Sequence, residues 1–183
     1  DSNTGITFPS ADTIKFSTGG VERMSITNSG VSGTGIGAGK LLQVVHVKTN
    51  TGFSTSSGSL VDSTNLTASI TPQTNSKVLV TTTIMNKFDS EVSGGEGYGI
   101  AIIRGSTSIF ASAGGYDVYH NAAGVSGAHS RLRSTWTELD SSPGGDGSTS
   151  ITYKIQVMVH NNQTVAFNDS SMYSTITLME IGA

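Results

Sequence analysis

Between residues 150 and 160 every second position is a large apolar one: Ile151, Tyr153, Ile155, Val157 and Val159 share one side of the backbone. Successive side chains of a strand point to opposite faces, so this run is a strand with one face for a core and one for water. Residues 131–139 repeat the pattern, with Leu132, Ser134, Trp136 and Glu138 on one side of the pleat and Arg131, Arg133, Thr135 and Thr137 on the other. Trp136, the single tryptophan, falls in phase with Leu132 and reads as a core anchor. A sheet made of such strands needs a second layer over its apolar face. Composition closes off a helical layer. Ser (28), Thr (24), Gly (23) and Asn (10) make up nearly half of the 183 residues. All are poor helix formers, whereas Thr fits a pleated surface.

Further strands are read at 41–48, at 66–71 where Pro72 stops the run, and at 77–85 after the turn Thr74-Asn75-Ser76. Residues 98–104 and 107–111 flank Gly105-Ser106, a two-residue hairpin spacing, and 163–168 and 173–181 complete the set. About nine or ten strands with a turn every ten or so residues predict an all-β fold, an antiparallel β-sandwich of jelly-roll type. A chain of this length buries roughly 70% of its unfolded surface, enough for one compact domain plus an appendage.

The appendage is residues 1–39. Two short alternating stretches, 13–17 and 21–27, are separated by Gly19-Gly20, and after them Gly recurs so densely from Gly30 to Gly39 that no ordinary strand or helix is expected to persist. Ile6, Phe8, Ile14, Phe16, Val21, Met24 and Ile26 are its main large apolar side chains, too few for an independent core. A lone hairpin is marginal in water. These faces therefore need a partner, either the following domain or further copies of the same segment.

Several function classes are excluded by residue types. Charged residues make up 13% of the chain, the net charge is −3 and no Lys/Arg cluster is present, so nucleic acid is not an expected partner. No Cys is available for a disulfide, a thiolate metal site or a thiol nucleophile. No apolar run approaches the ~20 residues of a membrane helix, and no membrane insertion is expected. His46, His120, His129 and His160 lack metal-ligand spacing, and no Gly-x-Ser-x-Gly marks a hydrolase elbow. Acidic turns at 89–96 and 140–146 have residue types that suit Ca²⁺, but neither follows the EF-hand spacing and such turns are ordinarily solvated, so no cofactor is assigned.

The segment 114–129 is the best binding candidate. It is longer than most connections in a compact domain and carries Tyr116, Asp117, Tyr119, His120, Asn121 and His129 between glycines. Tyr rings stack on sugars, while Asp117 and Asn121 have the hydrogen-bonding groups for hydroxyls. The competing reading makes Tyr116 and Tyr119 part of a sandwich strand and the remainder a plain turn.

Two stretches resemble known sequences. The opening, with Thr4-Gly5-Ile6, Asp12-Thr13-Ile14-Lys15-Phe16, Gly20-Val21-Glu22-Arg23-Met24-Ser25-Ile26 and Ser29 to Gly37, resembles the stalk repeat of phage tail-fibre and other structural proteins, marine ones especially. Leu42-Gln43-Val44-Val45, Ser69-Ile70-Thr71-Pro72, Ser76 to Val80, Ile103 to Thr107 and Thr175 to Ile181 resemble the C-terminal domain common in those fibres, and the strand order is similar to trimeric C1q/TNF-like jelly rolls. The resemblance implies a homotrimer, with residues 1–39 an intertwined stalk segment and Gly-rich linker and residues 40–183 the knob. It also implies a virion-surface location outside the host cell and other fibre or tail proteins as partners. Its function would be host attachment through a surface glycan or protein, without enzymatic activity. A purely structural role, in capsid decoration or filament formation, is the alternative.

Overall fold

The computed structural model describes residues 2–33, 39–89, 95–120, 129–169 and 172–183. The chain divides into two compact units, Asp1–Lys40 with Gly182–Ala183, and Leu41–Ile181.

The smaller unit is an antiparallel meander of β1 (Gly5–Thr7), β2 (Ile14–Thr18), β3 (Val21–Thr27) and β4 (Gly30–Ser32), paired in that order. Gly19 and Gly20 join β2 to β3 with φ of 60° and 74°. A two-residue turn of matching twist needs this left-handed pair, which glycine supplies at no steric cost. β4 corrects one expectation, because the Gly-rich run begins with three paired residues, and Ser32 Oγ meets Ser25 Oγ at 2.9 Å across the ladder. Among the described residues of this unit Ser25 alone is buried, and no hydrophobic side chain is.

Among its described residues the larger unit carries eleven strands. They are β5 (Leu41–Thr49), β6 (Phe53–Thr55), β7 (Val61–Ile70), β8 (Lys77–Asp89), β9 (Glu96–Arg104), β10 (Thr107–Ala111), β11 (Val118–His120), β12 (His129–Asp140), β13 (Ile151–Val159), β14 (Val165–Phe167) and β15 (Ser174–Ile181). A 3₁₀ turn, η1, spans His160–Asn162. One sheet runs β5-β15-β8-β14-β6 with β12 along the other edge of β8, and the second runs β10-β9-β13-β7 with β11 also on β9. All pairings are antiparallel. The eight longer strands β5, β7, β8, β9, β10, β12, β13 and β15 fall as first, eighth, third and sixth in one sheet and second, seventh, fourth and fifth in the other, the jelly-roll exchange. The fold class is as the alternation predicts. The surplus over nine or ten strands comes from three-residue pieces such as β6 and β11, too short to register as a period.

Facing rows from the two sheets fill the core. Ile151 apart, the alternating face of β13 is buried, and it packs with Tyr98, Ile100 and Ile102 of β9, Leu66, Ala68 and Ile70 of β7, and Val78, Val80, Ile84, Phe88, Ile176 and Leu178 of the other sheet. Trp136 is partly buried against this cluster and meets Tyr98 edge-on at 5.9 Å.

One end of the sandwich closes on polar groups. The register aligns Gln43, Glu180, Val78 and Asp140 across β5, β15, β8 and β12. Asp140 accepts from Arg104 Nη1 at 2.7 Å and from the Tyr153 hydroxyl at 2.8 Å, tying β12 to β9 and β13 of the opposite sheet. Burial, then the bond to Asp140, pushes the Tyr153 phenol far above its ordinary range. Glu180 accepts from Gln43 Nε2 and from the Gln73 backbone N–H, both at 2.6 Å. Burial pushes its carboxyl up, but the bonds from Gln43, Gln73 and Ser76 prevail and hold it below the ordinary 4.5. A carboxylate held down in the folded state stabilises above the unfolded value, and that contribution is lost as pH falls below it. The urea midpoint of the protein is therefore expected to drop between pH 6 and pH 3. Glu180→Gln should drop measurably less, and an identical drop in both would contradict the assignment.

Candidate functional site

Glycine on the outer face of β9 determines how the 112–119 segment lies. Gly97 and Gly99 occupy outward positions, where a Cβ on Gly97 would stand 2.9 Å from the Gly115 carbonyl oxygen and a Cβ on Gly99 2.8 Å from Ser112 Cβ. Only a strand stripped of side chains there lets the segment lie flat on the sheet. Ser112 fastens the near end: its Oγ accepts from the Ile100 backbone N–H at 2.8 Å and donates to the Asp117 carboxylate. Gly115, at φ 75°, passes close to Val159 and His160. β11 then pairs with Gly97 and its neighbours at the far end.

This backbone path presents Tyr116 and Tyr119 to solvent and sets them against the half-buried ring of His160. Tyr116 lies 4.0 Å from His160 between ring centroids, Tyr119 lies 5.6 Å from His160, and the two tyrosines are 5.8 Å apart. Tyr116 is 57% exposed and Tyr119 43%, unusual values for residues that normally bury most of their area. His160 enters from η1, where the chain leaves β13. The result is a contiguous aromatic platform with imidazole at its centre. Its chemistry is stacking against an apolar ring face, with hydrogen-bonding tips at the margin.

The sequence-derived site divides in the structure. Tyr116 and Tyr119 belong to the platform, and Asp117 is exposed beside them but holds Ser112, so its role is to shape the segment. His120 turns the other way, as alternation along β11 requires, stacking on buried Phe88 at 5.7 Å and 7° with Nε2 2.9 Å from Ser130 Oγ. It is thus withdrawn from the platform. His129 opens β12 opposite Asp89, and Asn121 lies outside the described residues. The strand reading of this segment holds in part: residues 118–120, with Tyr119, form a strand, and Tyr116 stands outside it. His160 was missed as a site residue, because its partners are over forty positions away in sequence.

The acidic turns are engaged internally where they are described. Asp140 holds Arg104, and Asp146 accepts from the backbone and side chains of Ser148 and Thr149, which hold its carboxyl far below the usual range. Among the described residues no group of three or more His, Asp or Glu is arranged to hold a metal ion.

No protein-family model matches the chain, and no curated protein does. Solved structures that align with it include infectious bursal disease virus Gx strain, at 14% identity and TM-score 0.35 over 77% of this chain and 37% of that one. The VP2 subviral particle of infectious bursal disease virus aligns at 10% identity and TM-score 0.36, over 93% of this chain and 47% of that one. The chain spans half or less of the length of these structures.

If the glycine stripe positions the platform, Gly97→Ala should destabilise by about 1–3 kcal/mol, the range for an overpacked contact. It should also alter the tyrosine near-UV circular dichroism, because Tyr119 Cδ2 stands 2.9 Å from the added methyl. An unchanged spectrum and midpoint would show that the segment does not rest on this strand.

Proposed function

We propose that the chain is a self-associating virion fibre protein, acting outside the host cell. Three copies join through the smaller unit, and the sandwich binds a host surface glycan or protein without cleaving it. The observation that carries the assembly is apolar surface with no core behind it. Ile6, Phe8, Val21 and Val31 are all exposed, Phe8 to 73%, in a four-stranded meander that buries no hydrophobic residue among those described. A sheet with an apolar face needs that face covered to be stable in water, and no hydrophobic side chain is buried among the described residues of this one. Further copies of the same strands supply a matching apolar face.

The sandwich adds a second self-association surface. On the outer face of the β5-β15-β8-β12 sheet the register aligns Val44, Met179, Leu79 and Leu139 in one row. Val44 is 52% exposed, with Leu42 and Leu139 also exposed beside it. An aliphatic row four strands wide, on a sheet with mostly polar outward positions, favours packing against another copy over solvation.

For the receptor, the Tyr116, Tyr119 and His160 platform favours a saccharide, whose ring face stacks on aromatic surface. One shallow platform binds weakly. Three on one assembly act at a local concentration in the millimolar range, which raises avidity with no new contact. A purely structural decoration or filament role is the second reading, and the aliphatic row supports it equally because that row needs no host ligand.

Light scattering of the whole chain should give three times the 18.8 kDa chain mass, and a stable 18.8 kDa species would overturn the assembly. Val44→Asp with Leu139→Asp should weaken the assembly. On a glycan array the native protein should retain at least one saccharide, and Tyr116→Ala with His160→Ala should abolish retention without changing the mass. Absence of any glycan or host-cell binding by the native assembly favours the structural role.

A further inference from the structure

The outer face of the β5-β15-β8-β12 sheet changes character along its length. Four residues beyond the aliphatic row, about 13 Å at the usual strand rise, the register aligns Lys48, Thr175, Thr83 and Thr135 across the same strands. Lys48, Thr83, Arg133, Tyr173 and Thr175 together line a shallow cavity of about 280 Å³. Both cations are held in position. Lys48 Nζ stands 3.8 Å from the centroid of the Tyr173 ring, and Arg133 Nε donates to Met85 Sδ at 3.0 Å, which draws the guanidinium over β8 toward the cavity.

These two cations differ from their neighbours. Arg131 and Lys87 share Asp169, Lys154 pairs with Asp62 and Arg104 with Asp140. Among the described residues no carboxylate pairs with Lys48 or Arg133, although the chain as a whole carries a net charge of −3. Two like charges brought to one cavity repel each other, and a negative group between them removes that repulsion. The Arg133 terminal amino groups have the forked geometry that meets two oxygens of one anion, and Lys48 adds a point charge from the opposite wall. Thr83 Oγ1 shares a hydrogen bond with Thr135 Oγ1 at 2.9 Å, and the Thr175 hydroxyl lies between the two cations in the register.

We propose that this cavity is a binding site for a small oxyanion, a sulfate, phosphate or carboxylate, held by Arg133 and Lys48 with Thr175 and Thr83 as hydroxyl donors. Tyr173, itself exposed, gives the site an apolar wall beside its charges. The site does not depend on the aromatic platform, which lies on the other sheet.

Titration calorimetry on the 183-residue chain tests this at low salt with three probes: inorganic sulfate, glucose 6-sulfate and glucose. Sulfate and glucose 6-sulfate should bind and glucose should not. Tighter binding of glucose 6-sulfate than of sulfate identifies a saccharide-borne anion, and equal binding a free one. Lys48→Gln and Arg133→Gln should each weaken binding about tenfold, the loss that goes with one charge-assisted hydrogen bond. Lys154→Gln, removing a paired cation on the other sheet, should leave it unchanged. Both test residues are exposed, so the variants should keep the native melting temperature. No heat with either anion, or equal affinity in native protein and both cavity variants, would overturn the proposal.

Discussion

A pleated strand has two faces, and in this chain only one of them carries enough apolar side chains for a core. The larger unit meets that constraint by apposing two sheets, so the inward rows of β8, β9, β13 and β15 bury each other while outward rows stay mostly polar. Among its described residues the smaller unit has no second sheet, and its apolar side chains are half-buried at most, with Ile6, Phe8, Val21 and Val31 exposed. Thus one physical rule, period-two alternation with a single apolar face, gives a closed sandwich in one part and an uncovered meander in the other. The polar closure at one end follows as well. Where the inward row ends in Gln43, Glu180 and Asp140, burial is tolerated only because each carboxylate receives hydrogen bonds, several of them from the opposite sheet or the chain leading from it.

β9 is the exception that creates the candidate site. It is buried on both faces, and its outward positions are small: Gly97, Gly99 and Ala101. Removing side chains there costs strand propensity, and the compensation is close contact with the 112–119 segment and η1. The platform thus rests on a rigid central strand instead of projecting from a loop. The rings of Tyr116, Tyr119 and His160 are held within contact distance of one another before any ligand arrives, which lowers the ordering cost of a stacking interaction.

Much of this was legible in the sequence. The alternation of Ile151, Tyr153, Ile155, Val157 and Val159, the phase of Trp136, the stop at Pro72 and the hairpin at Gly19-Gly20 all express local rules of backbone and pleat, and each appears in the structure as read. Strand β6 escaped because three residues cannot display a period, β11 was read only as the competing account of its segment, and β4 escaped because glycine masked it. The site was half legible for a different reason. Tyr116 and Tyr119 declare themselves by residue type and spacing, whereas His160 and the Lys48–Arg133 pair meet only through strand order and register, which one sequence does not reveal. His120 shows the same limit in reverse: composition placed it beside Tyr119, but the pleat turns consecutive side chains to opposite faces.

The edges of the sandwich bear on how copies join. β12 runs its full length along β8, and among the described residues no strand pairs with its other edge. An open edge of that length invites strand addition and, with it, indefinite growth. Arg131, Arg133 and Glu138 along β12 oppose this, since charges on an edge strand must be desolvated when another strand docks. The aliphatic row of Val44, Met179, Leu79 and Leu139 carries no such charge and lies across the strands instead of along an edge. Association is therefore favoured through the sheet's face, where packed copies can close around an axis, over an edge-to-edge ladder that cannot terminate.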